Sequence, residues 1–328
     1  MKINIYKLQE QMLILLSRKG FSDPESKILM HAYWNAELEG KTTHGISRFY
    51  WDIQNFHPKR KPKIVIDKKA VVLVDGQHGS GPLIANYASD MLIKRAKNYG
   101  IALVGIKNMT QYGSLSEWTE KIAKKNLIGL ITNSCQPAAA PFGGVSKILG
   151  TNPISISIPS DEDPIILDMS TSEVPMGLIW YCLETGKKLP KHNFYDEDGK
   201  FTTDPKKAKA VKTFGGYKGY GLSFMLQILS GSLVSAFMGD EIKNAYDIGY
   251  MFLAIDPSFF QNLDTFKQKN STFIKQIKNC KKNSGVDQIL IPGERSLKNK
   301  KTALKDETID IPEAIWSKLN EKTAGTHE

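Results

Sequence analysis

AVVLVDGQHGSGPLIANYASDMLIKRAKNYGIALVGI, residues 70–106, decides the fold class of this chain. AVVLVD (70–75) is a β-branched apolar run and reads as a strand, and Gly79-Ser80-Gly81 follows it as a turn. ANYASDMLIKRAKNYG (85–100) has helical periodicity and stops at Gly100, and IALVGI (101–106) is a second strand. The alternation continues downstream. A helix around 115–125 precedes the strand LIGLITNS (127–134), and ISISI (154–158) and IILDM (165–169) flank the turn PSDEDP. KGYGLSFMLQILSGSLV (218–234) reads as a buried helix and GYMFLAID (249–256) as a buried strand. From about residue 257 the pattern returns to helix, with a short strand near QILIP (288–292). Strands alternating with helices make this an α/β protein.

Upstream, the pattern is helical. The N-terminal stretch is an apolar patch broken by Gln9, Glu10 and Gln11 with no small-residue cleavage site after it, so it reads as an amphipathic helix and not a signal peptide. Ser22-Asp23-Pro24-Glu25 combines a capping side chain, a first-turn proline and an acid at the positive end of the helix dipole. Ile28, Leu29, Ala32, Tyr33 and Ala36 then follow at helical spacing up to Gly40, a natural stop. Thr42 and Thr43 are positioned to cap a second helix reaching about Asn55, and the basic HPKRKPK (57–63) reads as a linker.

At 328 residues the chain has room for about two domains. No stretch approaches the ~20 apolar residues of a membrane span. The cysteines, Cys135, Cys182 and Cys280, are odd in number and widely spaced, which fits a reducing cytoplasm and supplies neither a disulfide framework nor a metal site. A net charge of +10 raises nucleic acid as a partner. The excess is lysine, clustered at 204–212, 275–283 and 297–305 without the interleaved aromatics that stack bases. Solvated surface is the better reading; steeply salt-dependent binding would mark the other.

Three constellations carry chemistry. Gly79-Ser80-Gly81 sits between strand and helix, where dinucleotide phosphates bind, but Ile84 takes the third glycine position and no acid ends the next strand. A tight turn is therefore favoured over a Rossmann fingerprint, and the glycines at 215–221 lack the order of a P-loop. His44 and Arg48 would share a helix face if the threonines cap it. A histidine exchanges protons near neutrality and an arginine fork grips a carboxylate, the pair that reduction of a 2-oxoacid requires; bare surface decoration is the alternative. Asp168-Met169-Ser170-Thr171-Ser172 offers hydroxyls and amides after a buried strand, either for phosphate or as an ordinary helix start.

Together these segments resemble the malate/L-lactate dehydrogenase family, which is unrelated to the Rossmann enzymes and includes ureidoglycolate, sulfolactate and diketogulonate oxidoreductases and a cyclic imino acid reductase. The resemblance runs from about residue 5 into the C-terminal region. It rests on TTHGISR (42–48), VDG (74–76), PFGG (141–144), LGTNPI (149–154) and LDMSTS (167–172). GKKLP (186–190), DEDGKFTTDP (196–205), GGYKGYGL (215–222) and IPGE (291–294) complete it.

The resemblance implies an unusual three-layer, non-Rossmann α/β fold with a mixed sheet. Residues 1–65 and 300–328 would form a smaller helical domain carrying the catalytic histidine loop, and residues 66–299 an NAD(P)-binding domain. It implies hydride transfer between NAD(P)H, NAD slightly preferred, and a small 2-oxo or 2-hydroxy carboxylate, without metal, in a cytoplasmic homodimer that binds neither nucleic acid nor membrane. His44 matches the acid/base and Arg48 the carboxylate clamp, with Thr43, Gln111 and Asn152 beside the substrate and Asp168 supporting the site. Asp168, Met169, Ser170, Thr171, Ser172, Glu173, Val174, Tyr217, Lys218, Gly293, Glu294 and Arg295 match cofactor-contacting segments. Three departures stand out: Gln111 replaces a usual histidine, Leu178 a frequent lysine and Gln227 a usual glutamate. These leave open an altered substrate, or a homologue that binds without turnover.

Overall fold

The computed structural model describes residues 1–324; the last four residues of the segment assigned to the helical domain, 325–328, lie outside the described residues. Strand β1 (Lys2–Asn4) leads into helices α1 (Ile5–Arg18), α2 (Asp23–Leu38) and α3 (Ile46–Asp52). Strands β2 (Lys63–Lys68) and β3 (Val71–Gly79), helix α4 (Gly81–Tyr99), strand β4 (Ile101–Met109) and helix α5 (Leu115–Ala123) follow. Strands β5 (Ile128–Asn133), β6 (Ala139–Ala140), β7 (Ile154–Ile158) and β8 (Ile165–Met169) precede α6 (Leu178–Thr185). Then come β9 (Phe194–Tyr195), β10 (Ala210–Lys212), α7 (Tyr217–Ser230) and β11 (Tyr250–Ile255). Helices α8 (Leu263–Asn279) and α9 (Glu294–Asp306), strand β12 (Thr308–Asp310) and helix α10 (Glu313–Ala324) close the described chain.

Seven strands form the main sheet, in the order β2-β3-β4-β11-β5-β7-β8. Only β3 and β4 run parallel, joined through α4; the other neighbours are antiparallel. This mixed sheet makes the chain an α/β protein. Side chains alternate between faces along a strand. Val104, Ile106, Ile131, Tyr250, Phe252 and Ala254 point to one face and join α4 and α5 in the main core. On the other face Gly105 is kept bare by Val234, 2.8 Å from where a Cβ would stand. The chain ends meet: β1 pairs antiparallel with β12, and the same core takes in Leu8 and Met12 of α1 with Ile315, Trp316 and Leu319 of α10.

Several local expectations hold. Helix α2 begins at the predicted cap, with the Ser22 amide donating to Glu25 at 3.1 Å, and Gly40 follows its end at φ 78°. Gly81 is a packing glycine, because a Cβ there would lie 2.2 Å from the Gln111 carbonyl. The three cysteines are free thiols. No described helix is long and apolar enough to cross a membrane.

Others do not. The basic linker ends in an edge strand, β2, whose six residues are all exposed and so lack the alternation that announces a strand. Residues near 288–292 form no strand; Pro292 only accepts a hydrogen bond from Ile166, at 3.3 Å. The threonines do not cap α3. Gly45 takes that position, and the Glu37 carboxylate accepts the Ile46 amide at 2.7 Å. Helix α7, expected to be buried, turns Ser223, Leu226, Gln227 and Ser230 inward and leaves Phe224, Met225, Ile228 and Leu229 exposed.

Candidate active site

His44 stands in the turn between α2 and α3, not on a helix, so it does not share a helical face with Arg48. The turn closes when the His44 amide donates to the Lys41 carbonyl at 2.8 Å. The imidazole Nδ1 lies 3.0 Å from the Thr43 hydroxyl, leaving Nε2 with no partner among the described residues. Burial is the main cause that pushes His44 down to about 4; Asp168 opposes the shift, while Lys41 and Arg48 reinforce it. The ring is therefore neutral at pH 7, with one nitrogen free to exchange a proton.

Arg48 lies one turn into α3. Its Nε and Nη2 meet the two oxygens of Asp52 at 2.9 and 2.7 Å, and Asp52 also accepts the Tyr33 hydroxyl at 2.8 Å. One edge of the guanidinium is thus taken up internally, and Nη1 is left to face outward. Burial works against its charge, but Asp52 outweighs burial and holds the guanidinium firmly protonated.

Asp168, at the end of β8, reaches back to the same turn. Its Oδ2 accepts from Lys41 Nζ at 2.7 Å, Ser114 Oγ at 2.8 Å and the Ser116 amide at 3.2 Å, whereas Oδ1 has no donor among the described residues. Burial would raise its affinity for a proton; Lys41 and Ser114 outweigh that and hold it below the ordinary carboxylate range. Lys41 also contacts Glu39 Oε2 at 2.9 Å and the hydroxyls of Ser114 and Ser116. Sequence reading missed Lys41, Ser114, Ser116 and Asp52. A charged residue three before a candidate histidine was the visible signal; the 127-residue separation from Asp168 hid its meaning.

Gln111 is half-buried in the loop after β4 that also carries Ser114. Asn152 is fully buried at φ 28°, and its amide is engaged by protein: Nδ2 donates to Ser223 and, at 2.8 Å, to Gln227, while Oδ1 accepts the Cys135 amide. It joins β7 to α7 and does not project into open space. Leu178 opens α6 and packs in the small second core beside Ile179 and Phe194.

The segments expected to hold a cofactor converge on β8. After Asp168 the chain runs extended, and the amides of Thr171 and Glu173 donate to Thr151 and Lys212. Among the described residues the alternate amides of Ser170, Ser172 and Val174 have no backbone acceptor. The Phe214 amide donates to Thr171, which brings in the loop leading to exposed Tyr217 and Lys218. Gly293, at φ 91°, packs against Ile166 on the other side. A cleft of about 300 Å³ opens there, lined by Lys41, Ser116, Asp168, Gly293, Arg295 and Lys300 among others. A row of amides, hydroxyls and cations of this kind fits a phosphate-bearing cofactor.

The family profile for malate/L-lactate dehydrogenase matches residues 3–320. The chain belongs to the malate/L-lactate dehydrogenase family. It is 36% identical to the malate/(S)-sulfolactate dehydrogenase of Methanothermus fervidus over 328 residues, covering 95% of each chain. It is likewise 36% identical to the L-sulfolactate dehydrogenase of Methanocaldococcus jannaschii, over 95% of this chain and 94% of the relative. The solved sulfolactate dehydrogenase from Methanocaldococcus jannaschii superposes with a TM-score of 0.89 at 32% identity, over 99% and 97% of the two chains. The malate dehydrogenase of Entamoeba histolytica superposes at 0.93 and 27%, over 99% and 98%. As a member of the malate/L-lactate dehydrogenase family the chain is a nicotinamide-dependent oxidoreductase that transfers hydride to or from a small acid.

Proposed function

We propose that this enzyme interconverts a 2-oxoacid carrying a second anionic group with its 2-hydroxyacid, the class to which malate and sulfolactate belong. His44 exchanges the proton at the C2 oxygen, Arg48 meets the C1 carboxylate through its outward edge, and Asp168 fixes the geometry. Thr43 holds the imidazole, and Gln111 lines the substrate side. The observation that carries the reading is the neutral His44, with Nδ1 at the Thr43 hydroxyl and Nε2 without a partner among the described residues, in the turn that Lys41 ties to the Asp168 carboxylate. In this reading residues 1–65 and 300–328 carry the proton-transfer loop, and residues 66–299 hold the cofactor.

A bound nicotinamide cofactor supplies the hydride. The 168–174 segment, Tyr217-Lys218 and 293–295 would hold it. Glu294 is already engaged, with Lys278 at one oxygen and the Ile291 amide at the other, whereas Arg295 has no partner among the described residues. A cation is therefore free in the cleft to meet a 2′-phosphate, so NADPH belongs in the test beside NADH. The exposed apolar face of α7 supports a homodimer, and three free thiols fit the cytoplasm.

The test is steady-state oxidation of NADH and NADPH with oxaloacetate, sulfopyruvate, pyruvate, 2-oxoglutarate, a diketo sugar acid and a cyclic imino acid. Turnover on a dianionic substrate should fall about 10²–10⁴-fold in His44→Ala while nucleotide binding persists. Nucleotide binding without turnover on any acid would favour a binding protein in which the changes at Gln111 and Gln227 abolished activity. No nucleotide binding would sink the reading.

A further inference from the structure

We propose that Lys41 is a positioning residue for the proton-transfer step, setting the proton affinity of His44 through the Asp168 carboxylate. The inference rests on His44 being the acid/base proposed above.

Lys41 is clamped on four sides, by Asp168 Oδ2 at 2.7 Å, Glu39 Oε2 at 2.9 Å, Ser114 Oγ at 2.9 Å and the Ser116 hydroxyl. An ammonium so fixed cannot swing out to grip substrate without leaving two carboxylates unpaired, which is costly at partly buried sites. Its position is itself dictated: Lys41 follows the helix-ending Gly40, and its carbonyl accepts the His44 amide. The same residue therefore shapes the His44 turn through its backbone and holds Asp168 through its side chain.

The consequence is electrostatic. Every protein hydrogen bond to Asp168 falls on Oδ2, so Oδ1 keeps its lone pairs for the imidazole or a ligand. Unopposed, a buried carboxylate beside a histidine stabilises the imidazolium. Lys41 cancels much of that stabilisation while keeping the carboxylate ionised. The other groups facing His44 are Arg48 and Asp52 from α3, which pair with each other. Glu37 lies beneath Gly45 and is engaged by the Ile46 amide, and Glu39 is held by Lys41. Tyr33 and Tyr250 titrate far above neutrality, because burial penalises their anions, and contribute no charge. Lys41 is thus the cation that ties the His44 turn to Asp168.

The test reads His44 directly. Its C2 proton resonance, assigned by loss in His44→Gln, is followed against pH in the full-length protein, and kcat is measured across the same range. In the parent protein the resonance should titrate well below the ordinary 6.5. Lys41→Met should raise that midpoint by about half a unit or more, and Lys41→Arg should leave it in place. Should the methionine variant fail to fold, Lys41→Gln keeps a donor toward Asp168 and should show the same rise. The pH limbs of kcat, falling with pH for reduction and rising for oxidation, should move upward with it. An unchanged midpoint in the charge-removing variants overturns the proposal, whatever happens to kcat. A shifted midpoint without turnover in any variant supports it and counts instead against the oxidoreductase roles given to these residues.

Discussion

Glu37 is a carboxyl under the catalytic turn with no cation beside it. Burial pushes it up to about 7, opposed by the Ile46 amide it caps. Because its folded value lies above the ordinary 4.5, the native state binds more protons between those values. Its contribution is complete below pH 4.5 and is lost as pH rises through 7. His44 has the opposite sign: its stabilising contribution is present above 6.5 and is lost as pH falls toward 4. Glu37→Gln should therefore match the parent at pH 4.5 and exceed it at pH 8 by on the order of 2–3 kcal/mol, read by urea unfolding at both values. A gain at pH 4.5 as large as at pH 8 would place the effect in packing, not ionisation. Asn152→Ala removes bonds to Cys135, Ser223 and Gln227 at a fully buried site and should cost about 2–4 kcal/mol. At this scale the sequence displayed His44, Arg48 and Asp168 through residue type and local pattern. Asp52 and Lys41 were visible only as charges, since their meaning lies in partners that only folding supplies.

Helix α7 shows what periodicity leaves out. Its apolar content suggested burial, yet the inward stripe is Ser223, Leu226, Gln227 and Ser230, held by hydrogen bonds to Asn152 and within the helix. The outward stripe is Phe224, Met225, Ile228 and Leu229. Composition shows that a helix is apolar, not which side meets its own core. The order β3–α4–β4, by contrast, was legible, because an apolar run and a glycine stop are local signals, although β3 runs on to Gly79 and α4 begins at Gly81. The turn into α4 carries a prediction of its own. Gly81→Ala places a Cβ 2.2 Å from the Gln111 carbonyl and 2.3 Å from that of Thr110, both backbone atoms. The loop must shift, at about 2–4 kcal/mol in unfolding free energy, and KM for the acid should rise because the loop also carries Ser114. Parent-like stability would show that this loop yields freely.

For the whole molecule, the exposed stripe of α7 continues to Leu233 and Phe237, a run of apolar side chains suited to an interface. Met225→Glu should convert a sedimenting dimer into a monomer with an unchanged circular dichroism spectrum. A monomeric parent protein at micromolar concentration would refute the homodimer. The mixed order of the sheet could not be read from alternation alone, because β11 inserts between β4 and β5 from more than 100 residues away. The resemblance carried that information where local pattern did not.

The pairing of β1 with β12 has a consequence during synthesis. Lys2 lies opposite Asp310, and the core around α1 is completed by Ile311, Ile315, Trp316 and Leu319. A chain emerging from the ribosome can cover part of the α1 stripe with α2, but the part that Ile311, Ile315, Trp316 and Leu319 cover stays open until those residues are made. Sealing of α1 therefore waits on a segment beyond residue 310, so ribosome-bound chains stalled before residue 300 should recruit holding chaperones and resist native-like protection of α1.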